Sequence, residues 1–316
     1  MRVIAVEEHY ASNRVWDALG GVGRPAQAEL EAKLLDVGEA RITAMDAAGI
    51  DVQVLSHNPP GAQQLVHPNA VSLVREENDR LAEAISRYPS RLAAFAALPT
   101  ADPLAAADEL ERAVRQLGFR GALIHGHTAG RFLDDQKFWP LFERAQALGM
   151  PIYLHPTIPP PAVAEAYYYG LAPQLRKALS TSAWGWHAET GLHVLRLIVA
   201  GVFDEFPGLQ LVVGHLGEGL PFMLARTAAK LSEVANLPLS LQAYIQRNFH
   251  FTTSGIFSLP PLLNTLLEVG ADRIMFAVDY PFSSNEQGRA FLNTMPMTST
   301  DVEKVAHGNA ERLLNL

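Results

Sequence analysis

Val3-Ile4-Ala5-Val6-Glu7-Glu8-His9 is a short apolar run that ends on two carboxylates and an imidazole. Its apolar half reads as a buried strand, which delivers the polar groups to the strand's C-terminal end. Because side chains alternate along a strand, Glu7 and His9 share one face and Glu8 takes the other. Two ligand atoms on one face is the arrangement a metal ion needs. Three later apolar runs end in the same way: Pro151-Ile152-Tyr153-Leu154-His155-Pro156, Leu209-Gln210-Leu211-Val212-Val213-Gly214-His215, and the run from Arg273 through Val278-Asp279-Tyr280-Pro281.

Between these runs the chain alternates regularly. An irregular stretch over residues 10–30 leads to a helix that ends at Ala47-Ala48-Gly49, where the glycine fits a C-terminal cap. Residues 51–56 read as the second strand, and His57-Asn58-Pro59-Pro60-Gly61 cannot continue it. Val74, Asn78, Leu81 and Ile85 recur at helical spacing within residues 69–87. A third strand covers residues 92–98, a helix runs from Asp102-Pro103 to Gly118, and a fourth strand covers 120–124 and exits through His125-Gly126-His127. Helix 138–148, the His155 strand, a Pro- and Tyr-rich loop over 156–187, and helix 189–203 come next. The His215 strand, helix 220–234, strand 249–253, helix 259–267, the Asp279 strand and helix 301–314 complete the chain. Eight strand-then-helix units predict an α/β fold, a single (β/α)8 TIM-type barrel domain over residues 1–316. The candidate ligands then gather at the C-terminal ends of the strands, where such barrels place their chemistry.

Composition fits an enzyme-sized globular chain, with 48% hydrophobic and 18% charged residues among 316. The formal charge of -8 argues against nucleic acid and anionic membrane surfaces as partners. With no cysteine, disulfides, thiolate nucleophiles and Cys-ligated zinc are excluded. No apolar run approaches the roughly 18 residues of a membrane span, and the strand-first N-terminus carries no basic-then-apolar leader. A cytoplasmic protein is expected.

With these residues placed, the chain resembles the amidohydrolase superfamily. The likeness is to its branch containing aminocarboxymuconate-semialdehyde decarboxylase and the hydroxybenzoate decarboxylases of the gamma-resorcylate type. It runs nearly the whole length and rests on Glu7-Glu8-His9, Tyr153-Leu154-His155-Pro156, Gly214-His215-Leu216-Gly217-Glu218 and Val278-Asp279-Tyr280-Pro281-Phe282, in the expected order. The resemblance implies that Glu7, His9, His155 and Asp279 hold one divalent ion per chain, zinc or manganese, with His215 beside it as an acid/base or polarising group. In that branch the first pair often reads His-x-His; Glu7 in place of the first His looks like the hydroxybenzoate decarboxylase subgroup. Binuclear members bridge two metals with a modified lysine on the fourth strand. Here that strand ends in His125 and offers none, so a mononuclear site is implied, in a homodimer or homotetramer.

The surrounding residues leave alternatives open. Glu218, three residues after His215, either fixes the imidazole tautomer or complements a helix dipole. His125 and His127 either line the substrate pocket or bond the backbone. Trp184, Trp186 and His187 form an aromatic wall for a flat substrate or pack locally. Arg226 binds a substrate carboxylate, crosses to a neighbouring copy, or is solvated. Tyr167-Tyr168-Tyr169 reads as a packed or inter-subunit surface. His67, His193, His250 and His307 are assigned to structure, and Asn78 to a buried backbone group. The leading function is metal-dependent nonoxidative decarboxylation of a small hydroxylated aromatic acid, in which Asp279, its pKa raised by a dry barrel mouth, carries the proton to the ring. The alternative is hydrolysis of a lactone, ester or amide at the same metal, with Asp279 as base. A barrel that only binds a ligand is the third reading.

Overall fold

Eight strands follow one another in the computed structural model, which describes residues 1–65 and 69–316. His67, assigned to structure, lies outside the described residues. The strands are β1 (Ile4–Tyr10), β2 (Val52–His57), β3 (Leu92–Ala94), β4 (Ala122–His125), β5 (Ile152–His155), β6 (Leu211–Val213), β7 (Phe249–Thr252) and β8 (Ile274–Met275). They pair in parallel in two ladders, β1 to β3 and β4 to β8. Backbone bonds close the ladders on each other. At one seam Ala96 N donates to the Gly121 carbonyl (2.9 Å) and Leu123 N to the Ala96 carbonyl (3.1 Å). At the other, Val6 N donates to the Phe276 carbonyl (3.2 Å) and Asp279 N to the Glu7 carbonyl (3.0 Å). The expected (β/α)8 barrel results.

Alternate residues of each strand face opposite sides of the barrel wall. Ile4, Val6, Val54, Phe95, Leu123, Tyr153, Val212 and Met275 form one cluster inside, closed below by Leu314 of the last helix. Leu55, Ile124, Leu154, Phe251 and Phe276 face outward into the larger core beneath the helices. Strands covered on both faces are apolar throughout, which is why the runs were legible.

β1 departs from strict alternation, and the departure builds the site. Continued from Ile4 and Val6, alternation would turn Glu8 into the barrel and Glu7 and His9 out of it. Ala5 pairs with Gln53 but Glu8 pairs with Leu55, so β1 holds one extra residue there and its phase flips. Glu7 and His9 therefore enter the barrel. Glu8 turns outward, still buried, and its carboxylate accepts from the backbone N–H groups of Val278 (2.8 Å) and Tyr280 (3.1 Å). Behind β1 the wholly buried Arg41 donates to the His9 carbonyl (2.7 Å), the Asp36 carbonyl (2.9 Å) and Gln53 Oε1 (3.1 Å).

Several helices begin and end where their cap residues direct. Asp102 accepts from Ala105 N (3.1 Å) at the start of helix Pro103–Leu117, and Gly118 ends it at φ +73°. On helix Ala70–Ser86, Asn78 donates to the Ala97 carbonyl and accepts from Ala97 N, each at 3.0 Å, as expected. Residues 156–187 differ from the expected loop, since they carry helices Pro161–Tyr168 and Pro173–Ser180. Neither helix buries an apolar residue, so no apolar stripe announced it. Short helices Asn13–Ala18, Leu241–Asn248 and Asn285–Thr294 also occupy stretches without an expected element, and the helix expected to end at Gly49 divides into Ala28–Leu35 and Glu39–Ala48. The expected last helix divides into Ser299–Glu303 and Asn309–Leu314 around a wide turn at Lys304–Gly308. Among the described residues no helix is long and apolar enough to cross a membrane.

Candidate active site

Glu7, His9, His155 and Asp279 each place one ligand atom within 4.8 Å of the others, at the C-terminal ends of β1, β5 and β8. His9 Nε2 lies 3.2 Å from Asp279 Oδ1, and His155 Nε2 lies 3.3 Å from Glu7 Oε1. The His155 Nδ1–H donates to the Pro156 carbonyl (2.7 Å), so Nε2 presents its lone pair to the Glu7 oxygen. Burial, with His9 beside it, holds the His155 imidazole down to about 3, so it is neutral at ordinary pH. Glu7 Oε1 and His9 Nε2 are buried and make no hydrogen bond. Lone pairs and carboxylates facing one another in a dry interior are unfavourable unless a cation lies among them. The donor set of two imidazoles and two carboxylates fits one divalent ion.

Glu7 is held by its other oxygen. Oε2 accepts from the Tyr153 hydroxyl and from Thr252 Oγ1 (3.1 Å), and Thr252 Oγ1 lies 3.0 Å from Ser254 Oγ. Ser254 Oγ in turn accepts from His215 N (2.9 Å), which links Glu7 to the turn that carries His215. That turn needs a glycine before it, because a Cβ on Gly214 would lie 2.8 Å from Glu7 Oε2. Reading strand ends alone overlooked Tyr153, Thr252 and Ser254. The signal available was a tyrosine two residues below His155, hence on the same inward face.

His215, Leu216, Glu218 and Asp279 all adopt positive φ, between 50° and 71°. Non-glycine residues rarely do so, and such strain is held where surrounding contacts over-determine it. Glu218 accepts from His215 Nδ1 (2.8 Å) and also from His187 Nδ1. Burial would raise the Glu218 carboxyl, but the two imidazoles hold it at about 2. Burial would lower His215, but Glu218, Glu7 and Asp279 raise it well above the usual imidazole range. Asp279 Oδ2 lies 3.8 Å from His215 Nε2. Burial would raise the Asp279 carboxyl too, yet His215 and His9 hold it below the usual range. The expectation of a raised Asp279 pKa concerned the carboxyl beside a bound ion and a substrate anion; among the chain's own groups the neighbouring imidazoles hold Asp279 down and the neighbouring carboxylates hold His215 up.

Other expected site residues divide. His125 is buried beside the cluster, its ring 4.9 Å from that of His155; Nδ1 meets Gln63 Oε1 (3.1 Å) and Nε2 has no partner. The Trp186 ring lies 6.2 Å from the His155 ring, and its buried Nε1 has no partner. His187 Nδ1 meets Glu218 and its Nε2 the Ser182 carbonyl (2.9 Å), so both ring nitrogens are engaged within the chain, while its ring lies 5.1 Å from that of His215. Arg226 is exposed on helix Leu220–Leu231 and makes no hydrogen bond or ion pair among the described residues, so the fold does not draw it to the cluster. Trp184 is exposed. His127, His193, His250 and His307 all have structural partners: the Ile158 carbonyl, Leu133 N, Arg273 and Glu311 respectively. Phe282, unremarked as a wall in the sequence, stands with its ring 5.6 Å from that of His9.

A family model described as Amidohydrolase matches residues 17–316. The gamma-resorcylate decarboxylase of Polaromonas sp. (strain JS666) is 36% identical over 99% of this chain and 98% of its own length. A 2,6-dihydroxybenzoate decarboxylase solved in complex with 2,6-dihydroxybenzoate superposes with a TM-score of 0.89 at 36% identity, covering 100% of both chains. A dihydroxybenzoic acid decarboxylase from Polaromonas sp. JS666, solved with manganese and the inhibitor 2-nitroresorcinol, gives 0.89 at 35% identity, covering 100% of this chain and 97% of that one.

Proposed function

The chain belongs to the amidohydrolase family, and from that premise we propose that it is a metal-dependent nonoxidative decarboxylase of a hydroxylated aromatic carboxylic acid, working as one domain over residues 1–316. The observation that carries the reading is the buried quartet Glu7, His9, His155 and Asp279 with its unpartnered ligand atoms. These four would hold one divalent ion, zinc or manganese; manganese is the ion in the Polaromonas structure. When bound, the ion supplies positive charge that holds a phenolate and a carboxylate oxygen of the substrate.

The chain's own side chains do the rest. His125 Nε2, a lone pair because Nδ1–H donates to Gln63 Oε1, accepts a phenol O–H of a flat ring beside the quartet, and the unpartnered Trp186 Nε1–H donates to an anionic oxygen of that ring. His215 holds a proton with Nε2 3.8 Å from Asp279 Oδ2, and Asp279 relays it to the ring carbon that bears the carboxyl group. That carbon becomes tetrahedral. Its bond to the carboxyl carbon then breaks, the electron pair returns to the ring, and carbon dioxide leaves. Glu218 keeps the His215 ring in place and favours its reprotonation.

The same reading takes the protein as a cytoplasmic homodimer or homotetramer. Support for self-association comes from Tyr167, Tyr169, Leu175 and Trp184, apolar side chains more than half exposed on residues 156–187.

Turnover of a hydroxybenzoate panel by metal-loaded protein in deuterated water tests the function. One solvent deuterium is expected on the product ring at the carbon that lost the carboxyl group. Asp279→Asn is expected to slow turnover about a hundredfold, the usual scale of general acid catalysis, with a much smaller change in KM. Lactone opening without any hydroxybenzoate turnover overturns the assignment.

A further inference from the structure

At the end of the barrel opposite the quartet, the N-terminal ends of β5 to β8 and the last helix enclose a cleft of about 580 Å3, lined in part by Gln210, His250, Asp272, Arg273 and Arg312. Phe249 and Phe251 pack outward, so His250 between them points into the barrel floor, where it is 4% exposed. His250 Nε2 accepts from Arg273 Nη1 (3.0 Å), which places the ring proton on Nδ1. Nδ1 is buried and has no acceptor.

The two arginines have only neutral partners. Besides His250, Arg273 Nη1 donates to Gln210 Oε1 (3.3 Å), while Arg312 Nη2 donates to the Asp272 carbonyl (3.0 Å) and Asn309 Oδ1 (2.7 Å). The Asp272 carboxylate, also in the cleft, is engaged by Lys304 Nζ at 3.0 Å. Burial lowers the Arg273 pKa and the charge on Arg312 lowers it further, against the smaller opposing effect of the Asp272 carboxylate. Two guanidinium groups and a buried imidazole with a free N–H thus line one cleft, and among the described residues no carboxylate lies within ion-pair distance of either guanidinium.

We propose that this floor cleft binds a small oxyanion, a phosphate or carboxylate group held by Arg273 and Arg312 and by the His250 Nδ1–H. An anion supplies the charge both guanidinium groups lack and the acceptor the imidazole lacks. The site is distinct from the quartet, which occupies the C-terminal ends of the strands.

Calorimetric titration of metal-loaded protein with inorganic phosphate and, separately, with succinate tests this. Saturable binding of at least one probe is expected, weakened about tenfold by Arg273→Gln and by Arg312→Gln, the loss of one charge-assisted contact each. His155→Ala, which is expected to lose the ion, should leave that binding unchanged, which separates it from anions held at the metal. Phosphate binding alone identifies a phosphoryl ligand, succinate alone a carboxylate, and both together the shared oxyanion chemistry. Absence of saturable binding of either probe overturns the proposal. So does binding that survives both arginine substitutions or disappears in His155→Ala.

Discussion

One carboxylate, Glu218, accepts from two imidazoles and so decides where the proton of the site rests. Its charge, against the opposing effect of burial, raises His215 well above the ordinary imidazole range. Replacing it by the neutral amide in Glu218→Gln removes that support, so His215 loses its proton at lower pH than in the wild type. The alkaline limb of kcat should therefore move to lower pH, and kcat should fall about tenfold or more, the scale seen when a group that orients a site residue is removed. KM should change little, because Glu218 is 3% exposed behind His215. An unchanged pH profile would show that Glu218 does not set the His215 proton. At this scale the sequence reading placed Glu218 correctly against His215 but could not foresee His187 on its other oxygen. His187 precedes Glu218 by 31 residues, and no local spacing relates the two.

At the scale of elements, the seam between β1 and β8 joins three of the four quartet residues to one another. Glu8 laces it, with its buried carboxylate on Val278 N and Tyr280 N, the residues either side of Asp279. Glu8→Ala would leave two buried N–H groups without an acceptor, each costing about 1–3 kcal/mol. A stability loss of about 3 kcal/mol is expected in denaturant unfolding of the metal-loaded protein. A loss below about 0.5 kcal/mol, the size of an ordinary surface change, would mean that the seam does not depend on Glu8. The bulge in β1 belongs to this scale as well, since it turns Glu8 outward and its two neighbours inward together.

For the whole molecule, an ion held by the quartet would couple metal binding to folding. Without the ion, two carboxylates and two imidazole nitrogens converge in a buried space. Anything bound by the folded state alone stabilises it, by about 4 kcal/mol at a thousandfold excess over Kd. Chelation should therefore lower the Tm by several degrees, and His155→Ala should lose most of that response to added metal; a Tm indifferent to chelation would contradict the assignment of the quartet. The proposed self-association rests on the exposed apolar side chains of residues 156–187. Light scattering at micromolar concentration should give a dimer or tetramer, and a monomer alone would end that claim.

The sequence by itself determined the eight-unit alternation, the barrel, and the strand-end candidates Glu7, His9, His155, His215 and Asp279 at its mouth; the choice of four ligands among them came from the family resemblance. Periodicity is local, and a parallel barrel brings every strand's C-terminal end to one face, so strand-end residues meet without further information. Only the tertiary structure decided the phase of β1, because the extra residue is visible only against its pairing with β2. It also left Arg226 exposed on its helix, put both His187 nitrogens to use within the chain, and gathered the imidazoles that hold Asp279 down and the carboxylates that hold His215 up. Each of those outcomes depends on partners set through space, as when Glu8 finds the N–H of Val278 270 residues away. No pattern along the chain encodes such a contact; it exists once the barrel has closed.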